Sequence, residues 1–338
     1  MNKICLSGLL PEEIAKLLQL RQPFRGQQIF KWISDNVTSF DKMTNISISL
    51  RTTLKNTSCI RSSIVTDTLI DPDGTIKLQI KLHDEYLIET VLLIDSKNRK
   101  TACVSCQAGC AMKCSFCKTG TLGLARNLTA GEIVEQFRYL EEKAGILDNI
   151  VFMGMGEPMM NLEAIRKSIQ ILSHPDGRNI STRRITISTC GIIKGIYDLA
   201  DNGPAVRLAI SLTTADPALR SILMPITKNN PLPELKKAIY YFIEKTGKRC
   251  TLEATLLGDT NTDNENIQRM IEFAKDLSVH VNIIPWNPVL QLPYREPTRH
   301  ECAHYIQVLE RAGITVTQRA RRGRKIGGAC GQLGKIKV

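Results

Sequence analysis

From residue 100 onward, short apolar runs alternate with longer amphipathic stretches six times, and this rhythm limits the fold more than any other feature of the 338-residue chain. The strand-like runs cover 101–104, 149–153, 184–188, 206–211, 251–255 and 279–284. The helical stretches cover 129–144, 161–172, 192–200, 217–222 with 232–246, 264–277 and 298–312. Thr129-x-x-Glu132 has the form of a capping box at the first of these helices. Alternation of this kind predicts an α/β fold built on a parallel sheet. Six units fall short of the eight that close a full barrel, so the sheet is either open and doubly wound or a partial barrel. In both architectures ligands bind beyond the C-terminal strand ends.

What precedes the alternation differs in pattern. Residues 1–56 read as a small helical module centred on Ile14 and Leu17, on Ile29, Phe30 and Ile33, and on Ile48 and Leu54. With Arg21 and Arg25 exposed, it either touches RNA or simply packs. Residues 57–99 switch to period two, after the turn Asp71-Pro72-Asp73-Gly74, and predict a β extension. Its strand over 86–94 puts Leu87, Glu89, Val91 and Leu93 on one face. Glu89 is then either a desolvated carboxylate, more basic than usual and suited to accept a proton, or an edge-strand carboxylate on a solvated face.

The 45 Lys and Arg outnumber the 33 Asp and Glu, for a net charge of +12, which suggests a polyanionic partner. A membrane surface is the weaker alternative, because no basic amphipathic helix stands out. No apolar run approaches the roughly 20 residues that span a bilayer. The N-terminus reaches Pro11-Glu12-Glu13 too soon for a secretory signal. A cytoplasmic location is therefore expected. There thiols stay reduced, so eleven cysteines point to metal or redox chemistry rather than a disulfide framework.

Three of them are closely spaced, in Cys110-Ala-Met-Lys-Cys114-Ser-Phe-Cys117, directly after the first strand of the alternating region. With no histidine spaced for zinc, three such thiolates suit an iron–sulfur cluster that leaves one iron open. A zinc site would need a fourth ligand, for which Cys106 is available. Gly154-Met-Gly156-Glu157-Pro158 ends the second strand; its glycines permit close backbone approach to a ligand, and Glu157 can accept a ligand ammonium. Ser188, Ser211 and the run Pro285-Trp286-Asn287-Pro288 fall at later strand ends. Taken singly, each reads equally as a cap or turn. Near the C-terminus, Ala329-Cys330-Gly331-Gln332-Leu333 presents an accessible thiol.

The spacing C-x3-C-x2-C, with an aromatic before the last cysteine, resembles the radical S-adenosylmethionine (SAM) superfamily. Joined to Gly-Met-Gly-Glu-Pro, Trp-Asn-Pro and Ala-Cys-Gly-Gln-Leu, it resembles the RlmN/Cfr family of RNA methyltransferases, nearer the RlmN type. The resemblance implies a radical SAM partial (β/α)6 barrel over 100–318, with a basic segment over 319–338. It implies a [4Fe-4S] cluster on Cys110, Cys114 and Cys117, and SAM contacts at Gly156, Glu157, Ser188, Ser211, Leu212, Thr213 and Asn287. Cys330 is implied as the methyl-carrying residue, Cys103 as its resolving partner through a transient disulfide, and Glu89 as the proton acceptor. The implied reaction is methylation of C2 of adenosine in 23S rRNA, with tRNA as a further substrate, consuming two SAM; Cfr-type members act at C8. A flavodoxin-like electron donor and a monomeric enzyme are implied as well. Two other classes stay open: a radical SAM enzyme acting on a substrate other than RNA, and a non-catalytic iron–sulfur RNA-binding protein.

Three positions depart from the family pattern. Thr213 stands where the family has histidine, Cys106 where it has serine, and Arg324-Lys325 where it has acidic residues. The stretch from Arg319 to Val338 carries seven basic residues and no acidic one. Beside Cys330, that charge is expected to meet RNA phosphates.

Overall fold

The computed structural model describes residues 3–335. The expected helical module and basic segment reach beyond these, at Met1 and Asn2 and at Ile336, Lys337 and Val338, which lie outside the described residues. One ten-stranded sheet organises the chain: β1 (Ile64–Ile70), β2 (Ile76–Lys81), β3 (Leu87–Ile94), β4 (Lys100–Cys103), β5 (Asn149–Phe152), β6 (Ile185–Thr189), β7 (Arg207–Ser211), β8 (Cys250–Leu256), β9 (Val279–Pro285) and β10 (Val316–Gln318). Spatial order repeats chain order throughout. Strands β1 to β4 are antiparallel and β4 to β10 parallel. The extension is thus hydrogen-bonded into the barrel sheet. All six expected parallel strands are present. β10 is a seventh, three mostly exposed residues without apolar alternation, too short to leave a periodic signal.

The central strands are apolar because helices cover them. Ile185, Ile187, Leu208 and Ile210 are fully buried. Ile165, Ile169 and Leu172 of helix Leu162–Ser173, and Leu235, Ile239 and Phe242 of helix Leu232–Thr246, join the same core. Each such side chain contributes about 1.5–3 kcal/mol relative to exposure. The capping box forms as expected: Thr129 Oγ1 accepts from the Glu132 backbone N–H at 3.2 Å, and the Glu132 carboxylate accepts from Thr129 at 2.9 Å.

The N-terminal helices Pro11–Leu17, Phe24–Ser34 and Ile48–Thr57 are framed by a short parallel pair, Ile4–Cys5 with Ser58–Cys59. Buried Glu135, on helix Ala130–Ala144, ties this frame to the barrel. It accepts from the Ser7 hydroxyl at 2.6 Å and from the Ser62 and Ser63 backbone at 2.9 and 3.0 Å. Among the described residues no helix is long and apolar enough to cross a membrane.

Candidate active site

A cavity of about 400 Å³ opens at the C-terminal ends of the parallel strands. Cys110, Cys114 and Cys117 lie on its wall. Cys110 ends a short strand, Gln107–Cys110, paired antiparallel with Gly123–Asn127. The loop after it is held from three sides. The Ser115 N–H donates to the Leu223 carbonyl at 2.9 Å, the Ser115 and Tyr294 hydroxyls meet at 2.5 Å, and Trp286 Nε1 donates to the Phe116 carbonyl at 2.8 Å. Gly120 is required here, since a Cβ would come within 2.7 Å of the Cys114 carbonyl oxygen. The tryptophan of Trp-Asn-Pro therefore supports the cysteine loop.

These thiols fit a cluster better than a single ion. Cys110, Cys114 and Cys117 share the cavity wall with no histidine beside them, a donor set that suits a group whose separate irons each take one thiolate. Burial pushes the Cys110 thiol up to about 12 and the Cys114 thiol well above the ordinary range, so a bound cationic centre would supply the charge that ionises them. Cys106, considered above as a fourth zinc ligand, is buried and off the cavity wall.

Opposite the cysteine loop stand the later strand ends. Glu157 is buried, its Oε2 accepting from the Cys190 N–H at 2.8 Å and its Oε1 from Met159 at 3.0 Å. Burial raises its pKa against these hydrogen bonds, with no Lys or Arg among the groups that act on it. A cationic ligand group would offset that buried charge. Gly156 lines the cavity and is close-packed on its other side: at φ +104° its missing Cβ would fall 2.6 Å from Gln107 Cβ. The Gln107 carboxamide oxygen in turn accepts from the Glu157 N–H at 2.9 Å. The glycine thus lets the carboxylate be aimed.

Ser188 and Ser211 line the cavity with their hydroxyls 3.4 Å apart. Asn287 also lines it; its Nδ2 donates to the Cys330 carbonyl at 3.2 Å, while its buried Oδ1 has no partner. Leu212 and Thr213 lie off this wall. Directly after β7 the chain enters the left-handed region at Thr213 (φ +64°), where both backbone N–H groups donate to the Glu253 carbonyl, at 3.0 and 3.1 Å. That turn buries Leu212 in the core and leaves Thr213 Oγ1 without a partner.

Cys103 ends β4 and Cys330 lies on the C-terminal segment; both line the cavity, and Cys330 is exposed as a residue while its thiol is enclosed by that wall. All eleven cysteines are free, so the expected disulfide is absent from this state. Burial pushes Cys103 up to about 12 and raises Cys330, with Arg319 opposing both. The Cys330 segment is pinned by its backbone: Lys118 N–H donates to the Gly331 carbonyl at 2.9 Å and the Thr119 hydroxyl to the Leu333 carbonyl at 2.5 Å.

Glu89 is buried as its apolar stripe predicts, yet it is not on the cavity wall. Its Oε1 pairs with Lys77 Nζ at 2.9 Å, and its Oε2 accepts from the Gly334 N–H at 2.7 Å. Burial alone does not set its environment, because a cation was buried with it. In the β2–β3 register Lys77 faces Val91 and Gln79 faces Glu89, which makes Lys77 a diagonal neighbour on the same face. That pairing was available from hairpin parity.

Sequence reading missed three further residues. Arg319, counted only as part of a basic tail, lines the cavity and is held through its N–H to the Ile283 carbonyl at 2.8 Å. Glu253, a lone carboxylate in an apolar strand, lines it too. Arg220 is fully buried and donates to the Cys190, Leu212 and Ser211 carbonyls at 2.7, 3.1 and 3.4 Å, lacing two strand ends together. The basic segment is partly self-neutralised: Arg321 and Arg324 both pair with Glu296. Arg322, on the cavity wall, makes no ion pair among the described residues.

Comparison with known proteins bears on this site. Residues 104–274 match the model of the radical SAM superfamily, and residues 13–60 match the ribosomal RNA large subunit methyltransferase N-terminal domain. A Treponema pallidum protein named a probable dual-specificity RNA methyltransferase RlmN is 54% identical over 98% of this chain and 97% of its own. A Treponema denticola protein of the same name is 58% identical over 98% of this chain and 96% of its own. The crystal structure of a radical SAM methyltransferase from Sphaerobacter thermophilus superposes with a TM-score of 0.94 at 38% identity, over 98% of this chain and 99% of that one.

Proposed function

The chain belongs to the RlmN family of radical SAM RNA methyltransferases, and from that membership we propose that it methylates C2 of an adenosine in RNA by way of a methylated Cys330. The observation that carries this reading is the presence of Cys103 and Cys330, far apart in sequence, on the wall of the one cavity that also holds Cys110, Cys114 and Cys117.

Cys110, Cys114 and Cys117 would hold the four-iron cluster, and cluster and SAM together would supply a 5′-deoxyadenosyl radical by reductive cleavage. Glu157 meets the ammonium of SAM, Ser188 and Ser211 its polar groups, and the partnerless Asn287 Oδ1 accepts a further ligand donor. Gly156 acts by aiming Glu157.

Cys330 first takes a methyl group by displacement: its sulfur–carbon bond forms as the sulfonium bond of one SAM breaks, and the thiol proton is lost. Carbon C2 of adenine is electron-poor, flanked by two ring nitrogens, so it does not attack the methyl of SAM directly; a carbon carried on sulfur can instead be delivered to it. The 5′-deoxyadenosyl radical would take one hydrogen atom from the S-methyl group, the carbon so exposed would bond to C2, and the unpaired electron would pass to the cluster as Glu89 takes the C2 proton. The Cys103 thiolate then bonds to the Cys330 sulfur as the sulfur–carbon bond breaks, its electron pair leaving with the base, where a proton completes the methyl group. For Glu89 to act, Gly334 must release it.

The substrates proposed are 23S rRNA and tRNA, since the relatives are named dual-specificity enzymes. A flavodoxin-like donor supplies electrons, and the enzyme works as a cytoplasmic monomer. Reaction of the cluster-loaded protein with 23S rRNA and with tRNA, followed by mass spectrometry of the digested nucleosides, tests this. 2-Methyladenosine is expected; 8-methyladenosine, or no methylated adenosine, overturns it.

A further inference from the structure

Away from the active site a second pair of thiols is held face to face. The strands Ile4–Cys5 and Ser58–Cys59 run parallel, with Cys5 directly opposite Cys59 in the register. The Cys5 thiol also lies 3.1 Å from the Ser7 hydroxyl and 3.3 Å from Glu135 Oε1. Neither cysteine is fully buried. The proposed methyl transfer uses neither.

A cavity of about 470 Å³ opens onto Cys59, with Lys3, Lys55, Arg61, Ser58 and Tyr139 on its wall. Lys55 pairs with Asp41 at the rim and Arg61 with Glu142, which leaves Lys3, donating to a backbone carbonyl, as the cation on this wall without an acidic partner among the described residues. The Arg61 guanidinium lies 4.4 Å from the centre of the Tyr139 ring, and its buried Nε has no partner.

We propose that Cys59 and Cys5 form a redox-responsive dithiol that reacts with anionic low-molecular-weight disulfides, with Cys59 as the attacking thiol and Cys5 as the resolving one. The register supplies the pairing, since opposed residues of adjacent strands stand within the Cα separation a disulfide requires. The open cavity supplies access to Cys59, with Lys3 on its wall to meet an anionic reagent. Cys5 is off that wall and lies against Glu135, whose charge also reaches Cys59 but touches only Cys5.

The steps balance. The Cys59 thiolate attacks one sulfur of the small disulfide; a protein–small-molecule disulfide forms and one half departs as a thiolate. Cys5 then attacks the Cys59 sulfur, the second half departs, and the Cys5 proton ends on it. Two protein thiols lose two electrons, and one small disulfide becomes two thiols. The product staples the first strand to the strand after helix Ile48–Thr57 and closes the helical module on itself.

The cause of selectivity is electrostatic. The opposed Cys5 thiol brings Cys59 down to about 7, with Lys3 assisting against burial and Glu135, while interaction with Cys59, burial and Glu135 together push Cys5 far up. A thiol of that acidity carries about 50 times more thiolate at pH 7 than one of ordinary acidity, and the accompanying loss of nucleophilicity leaves a net gain of about fivefold.

The test uses the full-length, cluster-loaded protein under anaerobic conditions, with glutathione disulfide as the probe. Remaining thiols are blocked with iodoacetamide and the digest is read by mass spectrometry. A peptide linking Cys5 to Cys59 is expected, together with a raised thermal midpoint that dithiothreitol reverses. In Cys5→Ala, modification stops at a glutathione adduct on Cys59. Glutathione disulfide should also react faster than neutral hydroxyethyl disulfide. Both cysteines remaining alkylatable after Cys330 has reacted overturns the proposal, as does a Cys59→Ser variant in which Cys5 is modified at the wild-type rate.

Discussion

Lys77 Nζ stands 2.9 Å from Glu89 Oε1, and both side chains are almost wholly out of water. Lys77 also reaches the Gly327 carbonyl at 3.3 Å, while Glu89 receives the Gly334 N–H. The pair thus grips both sides of the segment that carries Cys330. Lys77→Met should cost about 3–5 kcal/mol, because it leaves a buried carboxylate without its cation. The double variant Lys77→Met/Glu89→Gln should recover a large part of that loss. Urea unfolding of the three proteins measures it; equal losses in single and double variants would show that the pair does not couple.

Cys330→Ala should abolish methylated product while SAM binding, read by equilibrium dialysis, persists. Cys103→Ala should instead accumulate a covalent RNA–protein adduct visible on a denaturing gel. Normal turnover without adduct in the second variant would remove Cys103 from its resolving role.

Gly156→Ala places a methyl group 2.6 Å from Gln107 Cβ at φ +104°. Strain and displacement together should cost about 1–3 kcal/mol. Because Gln107 positions the Glu157 backbone, SAM affinity should fall about tenfold or more, the scale set by one charge-assisted hydrogen bond. Unchanged SAM affinity would mean that Glu157 does not contact the ligand.

Cys250, fully buried at the start of β8, is pushed from 9.0 up to about 12 by burial. Between these values the folded state keeps a proton that the unfolded chain has lost, so this contribution to stability is present below pH 9 and falls as pH rises toward 12. Cys250→Ala should make the alkaline decline in unfolding free energy shallower by about 1.4 kcal/mol per pH unit. Unfolding titrations over that range check the slope.

Arg322→Ala should weaken binding of RNA oligonucleotides and lower the salt slope of log K by about one, as for loss of a single phosphate contact. Arg324→Ala should change the slope less, because Arg324 is already paired with Glu296. Filter binding at several salt concentrations separates the two.

The alternation of strand and helix was legible because each element's apolar period is local: Ile185 and Ile187 in β6, or Ile165, Ile169 and Leu172 on one helix face, repeat at spacings the chain alone displays. β10 was not, being three edge residues whose pairing comes from Val281 to Ile283 across the sheet. That Cys110, Cys114 and Cys117 share one cavity wall was legible in part, because their short spacing travels with the sequence. What Gly156 packs against was not: the space its Cβ would need is filled by Gln107, and only tertiary contact reveals that.

Residue type and local spacing determined the strand–helix order and the close spacing of Cys110, Cys114 and Cys117. Tertiary structure decided which charges face one another. It set Lys77 diagonally beside Glu89, turned Arg319 into the cavity, spent Arg321 and Arg324 on Glu296, and carried Leu212 and Thr213 off the wall. The physical reason is range. Hydrophobic period and backbone preference act over a few residues, whereas the environment of a buried charge depends on groups brought to within about 4 Å from anywhere in the chain.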